Sequence, residues 1–173
     1  DSKTAAGVFN ELGEVYRSFG ELDRALRLYE QALAILEKTE DIWYRAETLT
    51  NMGMVYRSKS DWLRALEFLE EALSLRCKIG DRIGEAKTLT DMGLVYRAMG
   101  NLERAHKLYE QALPIFRDAG DRVSEAVVLV NLGAIHNAQG ESRRALSYYK
   151  RAFSILRHIG DPIRKAAALI NIG

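Results

Sequence analysis

Five glycines, Gly13, Gly53, Gly93, Gly133 and Gly173, stand 40 residues apart in a chain of 173. The text around them recurs in step: Leu12-Gly-Glu-Val-Tyr16, Met52-Gly-Met-Val-Tyr56, Met92-Gly-Leu-Val-Tyr96 and Leu132-Gly-Ala-Ile-His136. Ala25, Ala65, Ala105 and Ala145 hold the same register, as do Ala32, Ala72, Ala112 and Ala152. Such self-similarity marks an array whose units bury their apolar faces on one another. The expected organisation is one array: repeats 1–40, 41–80, 81–120 and 121–160, with a partial fifth at 161–173.

Each unit reads as two helices. Asp41, Asp81, Asp121 and Asp161 are placed to cap first helices by accepting a bond from orphan backbone N–H groups. Gly80, Gly120 and Gly160 precede three of them and suit the left-handed close of the helix before. Pro162 fits a first helical position, where its missing N–H costs nothing. Gly20, Gly100 and Gly140, with Ser60 in the second copy, mark the turn inside each unit. The pattern predicts first helices near 2–18, 42–58, 82–98, 122–138 and 162–172, and second helices near 22–38, 62–78, 102–118 and 142–158. Phe9, Leu12 and Tyr16 form one apolar stripe at i, i+3, i+7, repeated by Leu49, Met52, Tyr56 and by Leu89, Met92, Tyr96. This stripe is expected to face the second helix. The interior glycine costs about 1 kcal/mol in a helix, so its recurrence implies a close helix approach.

Composition excludes several classes. An apolar fraction of 47% and a charged fraction of 28% fit a soluble globular chain. Twenty-five basic and twenty-four acidic side chains leave a net charge of +1, against the strong positive field of a nucleic-acid binder. No apolar run reaches the roughly 20 residues of a membrane helix. One cysteine, Cys77, forms no internal disulfide and points to a reducing cytoplasm. His106, His136 and His158 lack metal-ligand spacing, and Gly80-Asp-Arg-Ile-Gly84 lacks the lysine of a phosphate loop. The expectation is no catalysis, no cofactor, no metal, no nucleic acid and no membrane.

Phe9-x2-Leu12-Gly13-x2-Tyr16, followed by Ala25-x3-Tyr29 and Ala32, closely resembles the tetratricopeptide repeat (TPR). The pattern returns through Leu49, Gly53, Tyr56, Ala65 and Ala72, and through Leu89, Gly93, Tyr96, Ala105, Tyr109 and Ala112. The fourth copy keeps Leu129, Gly133, Ala145, Tyr149 and Ala152, with His136 in the tyrosine place. Two departures are the 40-residue period and the loss of the closing proline, replaced by Glu37, Cys77, Arg117 and Arg157. Long units with Gly-Asp-Arg junctions resemble those of bacterial multidomain regulators, kinesin light chains and the Leu-Gly-Asn adaptors. The run Tyr109 to Arg122 looks most like repeats attached to bacterial caspase-like (CHAT) or nucleotide-binding regulatory domains. The resemblance implies an all-α, right-handed α-solenoid with first helices lining a concave face. It implies an interaction scaffold that takes a peptide or helix of a partner in that groove.

Positions rotated off the stripe are then groove candidates. In the first repeat these are Asn10, Glu11, Glu14 and Arg17, and in the second Glu47, Thr50, Asn51, Met54 and Arg57. Lys87, Thr90, Asp91, Leu94 and Arg97 follow in the third, then Val127, Val130, Asn131, Ala134 and Asn137, and finally Ile170 and Asn171. Arg17, Arg57 and Arg97 form a ladder suited to carboxylates, because the planar guanidinium binds them bidentately. Asn51, Asn131 and Asn171, with Asp91 between, form a second ladder able to donate to and accept from a peptide backbone. The expected partner is a protein or peptide with acidic residues at one end and apolar anchors at the other. In the dicarboxylate clamp of chaperone-binding relatives, Asn51 and Lys87 match, but Asn10, Glu14 and Asp91 replace its lysine, asparagine and arginine. Binding of Hsp70 or Hsp90 tails is therefore not expected. Arg24, Arg64, Arg104 and Arg144, on second helices, read as structural ion pairs or solvated charges. The competing reading is a regulatory or oligomerising arm of a larger enzyme, a protease or ATPase. The apolar segment Ala166 to Gly173 leads us to expect a fragment of a longer array, or self-association through that end.

Overall fold

Side-chain oxygens start these helices where the sequence places them. Asp41 accepts from the Tyr44 N–H at 3.1 Å, Asp81 from the Gly84 N–H at 2.9 Å and Asp121 from the Ser124 N–H at 3.0 Å. Two second helices are capped likewise, Asp61 accepting from the Arg64 N–H at 3.3 Å and Asn101 from the Arg104 N–H at 3.1 Å. The computed structural model describes residues 2–159. It has eight α-helices there: α1 Ser2–Ser18, α2 Leu22–Thr39, α3 Ile42–Ser58, α4 Trp62–Ile79, α5 Arg82–Ala98, α6 Leu102–Asp118, α7 Arg122–Ala138 and α8 Ser142–Ile159. The expected bounds hold to within one residue. The fifth first helix, with Gly160, Asp161, Pro162, Ile170 and Asn171, lies outside the described residues. Ser60 takes the left-handed turn position at φ 60°, and Glu40 does so at φ 54°, where a glycine stands in later repeats.

The chain forms two compact units, one running to Val95 and one from Tyr96, with the boundary inside α5. In the first unit α1 packs on α2, α2 on α3, α3 on α4, and α1 also meets α3. Ala25, Leu26, Tyr29, Met52 and Val55 form its centre, surrounded by Tyr16, Leu22, Leu33, Tyr56 and Phe68. In the second unit α6 packs on α7 and α7 on α8. Ala126, Leu129, Ala152 and Leu156 are its buried centre, flanked by Leu113, Tyr148 and Phe153 among others.

The recurring glycines mark contact points between the two helices of a unit. A Cβ on Gly13 would lie 2.7 Å from Tyr29 Cζ, one on Gly53 2.8 Å from Leu69 Cγ, and one on Gly133 2.8 Å from Tyr149 Cδ1. Real Cβ atoms do not approach so closely, so each glycine is the hole into which the opposing side chain inserts.

One expectation about the stripe is corrected. Leu12 does not face its own second helix; it is 43% exposed. Its counterpart Met52 shows why, because it packs on Ala25, Leu26 and Tyr29 of the preceding hairpin. This position serves the contact between hairpins, and no described helix covers that side of α1. Val8, Val15 and Phe19 are exposed with it.

Arg76 is the exception in the core. Its equivalents Leu36, Phe116 and Leu156 are apolar and buried, and Arg76 is itself only 7% exposed. Its Nη1 donates to Asp81 Oδ2 at 2.7 Å, while its Nε has no partner. Gly84 makes the space: a Cβ there would fall within 2.6 Å of Asp81 Cγ and on the guanidinium itself.

Candidate functional site

Gly7, Asn10, Glu11 and Glu14 share one side of α1, as Trp43, Glu47 and Asn51 share one side of α3, because residues three and four apart are neighbours on a helix surface. Together with Tyr44 they line a cavity of about 360 Å³ in the first unit. Gly7 supplies no side chain to fill it, and its nearest neighbour is the Tyr44 ring, 3.7 Å from where a Cβ would stand. Trp43 is 45% exposed and held edge-on to Tyr44 at 4.9 Å.

The polar groups on this side differ in how far they are already engaged. Asn10 is buried, its amide nitrogen donating to Thr48 Oγ1 at 2.9 Å and its oxygen 3.0 Å from the same hydroxyl. It ties α1 to α3. Thr50 and Thr90 turn their hydroxyls back on their own helix, donating to Ala46 O and Ala86 O at 2.8 Å. Asn51 is the opposite case: buried, lining the cavity, with an amide nitrogen that meets no acceptor. Glu14 and Lys87 are exposed, and Met54 and Leu94 are partly buried.

Arg17 and Arg57 are partly buried, and the Nε of each is buried without a hydrogen-bond partner. Burial pushes the Tyr29 phenol up to about 12, an effect that the Arg17 guanidinium beside it opposes without completing a hydrogen bond to Tyr29 Oη. Burial also raises Asp91, to about 6, against the pull of Arg57, Arg76, Arg17 and Lys87. Glu47 is raised by burial too, with Glu14 and Asp81 adding to the rise and Arg76 and Lys87 opposing it. The first unit therefore gathers Glu14, Glu47, Asp81 and Asp91 with Arg17, Arg57, Arg76 and Lys87, in balanced number, yet leaves several guanidinium and amide donors unused.

In the second unit Arg97 and Asn137 are exposed, as is Val127 at 40%. Asn131 and Ala134 are partly buried, and Val130 packs against the Ala126–Leu156 cluster.

The second-helix arginines have a structural role that the sequence reading captured only in part. Arg24 pairs with Glu21 at 2.5 Å, Arg64 with Asp61 at 3.5 Å and Arg144 with Glu141 at 2.9 Å. Arg24, Arg64 and Arg104 also lie 5.6, 5.6 and 5.3 Å from the ring centres of Tyr16, Tyr56 and Tyr96. A cation over an aromatic face is attracted by the ring quadrupole. The recurring tyrosine and the arginine eight residues later are thus one clasp across the turn. In the fourth repeat His136 instead stacks on Tyr148 at 5.2 Å, meets His106 edge-on at 5.3 Å and lies 2.8 Å from Glu141 Oε2. Among the described residues no group of three His, Cys, Asp or Glu side chains could hold a metal ion, and no helix is long and apolar enough to cross a membrane. Cys77 is exposed.

No curated protein matches the sequence. Solved structures with the same fold include aspartyl phosphate phosphatase F from Bacillus subtilis, at 17% identity and a TM-score of 0.93 over 99% of this chain and 45% of that one. A signal transduction ATPase with a tetratricopeptide repeat sensor, from Pyrococcus horikoshii, matches at 22% and 0.86 over 99% of this chain and 27% of that one. The nearly identical TPR-like repeats assigned to a kinesin light chain of Podosopora anserina match at 19% and 0.79, over 99% and 85%. The chain thus spans less than half of the phosphatase and of the ATPase. At these identities the likeness is one of fold, the all-α TPR solenoid. Tetratricopeptide repeat models match residues 8–42, 44–118 and 126–159. With these models covering most of the chain and the glycine-to-second-helix contact seen at Gly13, Gly53 and Gly133, the chain belongs to the tetratricopeptide repeat family, whose repeats typically serve as non-catalytic scaffolds for protein interaction.

Proposed function

We propose that this scaffold holds an extended segment or helix of a partner protein against its first helices, with the arginines of α1 and α3 meeting acidic groups on that segment. The observation that carries the reading is the set of buried donors without acceptors: Arg17 Nε, Arg57 Nε and Asn51 Nδ2. An unsatisfied buried donor costs about 1–3 kcal/mol, a cost that a ligand oxygen recovers when these side chains turn outward to meet it, since each nitrogen is closed to solvent in the free protein. Guanidinium groups suit carboxylates, and the Asn51 amide suits a backbone carbonyl. Asp91 is the internal competitor, a carboxylate lying in the field of the same arginines.

The expected result of replacing Arg17, Arg57 and Arg97 together with alanine is a loss of partner affinity on the order of tenfold to a hundredfold for each arginine that meets an acidic group, since a charge-assisted bond contributes about 1.5–3 kcal/mol. Partners recovered by the wild type and lost by the triple variant, read by mass spectrometry, would identify the ligand. Unchanged recovery would remove the arginines from the interface.

A second reading, a sensor or regulatory arm of a larger enzyme, is favoured by one comparison: the chain covers only 27% of the ATPase whose repeats are named as its sensor. It predicts that the main contact is with a catalytic domain in the same polypeptide. The sequence of the full gene separates the two readings.

A further inference from the structure

We infer that the outer face of α1 is a docking surface for the second helix of another tetratricopeptide hairpin, and that this helix carries an apolar residue where α2 carries Asp23. The surface is separate from the one assigned above to an acidic segment. Residues two apart on a helix point to nearly opposite sides, so Arg17 is turned away from Val15 and Phe19.

Val8, Leu12, Val15 and Phe19 follow one another at steps of 4, 3 and 4 residues and form a single stripe, all of it exposed. The same places in the other repeats are closed: Leu12 is 43% exposed, whereas Met52, Met92 and Leu132 are 4%, 6% and 1% exposed. What closes them is visible at α3, where Met52 and Val55 pack on Ala25, Leu26 and Tyr29 of the preceding second helix. The outer face of an array end is expected to be polar. Here it is more apolar than the covered faces, with Val8 in the place of Thr48 and Thr88 and Phe19 in the place of Lys59. A contiguous exposed apolar stripe of this kind marks an interaction surface. Its spacing is the one that receives an Ala-Leu-x2-Tyr stripe in α2. In a second copy of the chain the alanines of that stripe, Ala25, Ala65, Ala105 and Ala145, are already buried, so the occupant is a separate hairpin.

The rim of the contact defines the occupant further. Lys59 Nζ reaches from α3 to Asp23 Oδ1 of α2 at 2.5 Å. Phe19 stands at the Lys59 place, where an aspartate opposite would lose water against a phenyl ring and gain no counter-ion. The repeats match these two places in sequence: Asp23 with Lys59, Leu63 with Met99, Glu103 with Gln139. A phenylalanine at the second place therefore calls for an apolar residue at the first. The full pattern is apolar-x-Ala-Leu-x2-Leu or Tyr, which α4 carries as Leu63, Ala65, Leu66 and Leu69.

The test joins an added copy of residues 41–80 ahead of the whole chain, so that its last glycine meets Asp1 as Gly80 meets Asp81. The melting temperature of the extended chain is expected to exceed that of the original by several degrees. Leu12→Gln should leave the original chain within about a degree, because its side chain is exposed there, yet remove most of the gain in the extended chain. Leu63→Asp in the added hairpin alone should also reduce the gain, and Leu63 is exposed in its own hairpin, so that hairpin still folds. An added hairpin that melts apart from the rest, or a gain indifferent to Leu12→Gln, would overturn docking on this face. A gain indifferent to Leu63→Asp would overturn the apolar requirement. Sedimentation of the original chain addresses the other occupant: a monomer agrees with the proposal, and a dimer dissolved by Leu12→Gln would give the face to a second copy and overturn it.

Discussion

Asp91→Asn is expected to stabilise the protein by about 2–3 kcal/mol near pH 7.5, a gain that fades to within about 0.5–1 kcal/mol near pH 4. Asp91 titrates at about 6 in the fold against 3.8 for an ordinary aspartate, burial being the larger cause and the surrounding arginines only partial compensation. A carboxyl raised on folding binds its proton more tightly in the native state. Above both values the native state carries an ionised, desolvated carboxylate, and the full penalty is present. As pH falls through about 6 and then towards 3.8 the native group protonates first, and the penalty is relieved. Asparagine imitates the neutral acid at every pH. The amide also suits the position, since Asn51 and Asn131 occupy it in the second and fourth repeats. Urea unfolding of both proteins at several pH values checks this: the stabilities should diverge as pH rises from about 4 to about 6 and differ by a constant amount above it, with a melting temperature higher by several degrees in the variant at neutral pH. A variant less stable than wild type at pH 7.5, or a difference independent of pH, would contradict the electrostatic account. The same substitution releases Arg17 and Arg57 from their internal counter-ion, so affinity for an acidic segment should rise.

The same chemical change at two places in one helix should act with opposite signs. Gly13→Ala is expected to destabilise by about 1–3 kcal/mol and Gly7→Ala to stabilise by about 0.5–1 kcal/mol. Alanine is the better helix former at both sites. At Gly7 the added methyl would stand 3.7 Å from Tyr44 Cε1, an ordinary contact, so propensity decides. At Gly13 it would meet Tyr29 Cζ at 2.7 Å, and Tyr29 is fully buried, so the ring must move into a packed core. Overpacking then outweighs propensity. Denaturant unfolding of the two single variants measures both signs, and a stabilising Gly13→Ala would show that α1 and α2 are less tightly joined than the contact requires.

The helices and their caps were legible because each depends on residues close in sequence: an aspartate, the three residues after it and a 40-residue period that repeats the message. The hole at each glycine was legible for the same reason, since large residues alternate with small ones at fixed places. What escaped depended on which helix faces which. Leu12 looks like every other stripe residue, yet its partner in later repeats comes from the preceding hairpin. Arg76 looks like a surface charge in the last turn of α4, and only the space at Gly84 admits it to a core position. Asn10 and Asn51 are alike as sequence, but Thr48 engages one and nothing engages the other. The clasp of Arg24 on Tyr16 was hidden by the turn between them, although their constant separation in three repeats was its visible trace.

Hydrogen–deuterium exchange of the whole chain, with and without a partner recovered by the wild type and lost by the triple arginine variant, tests the central claim most directly. Protection concentrated on α1 and α3, strongest around Arg17, Asn51 and Arg57, is the predicted result. Protection confined to the second helices, α2, α4, α6 and α8, would place the partner on the side away from these donors and contradict the account.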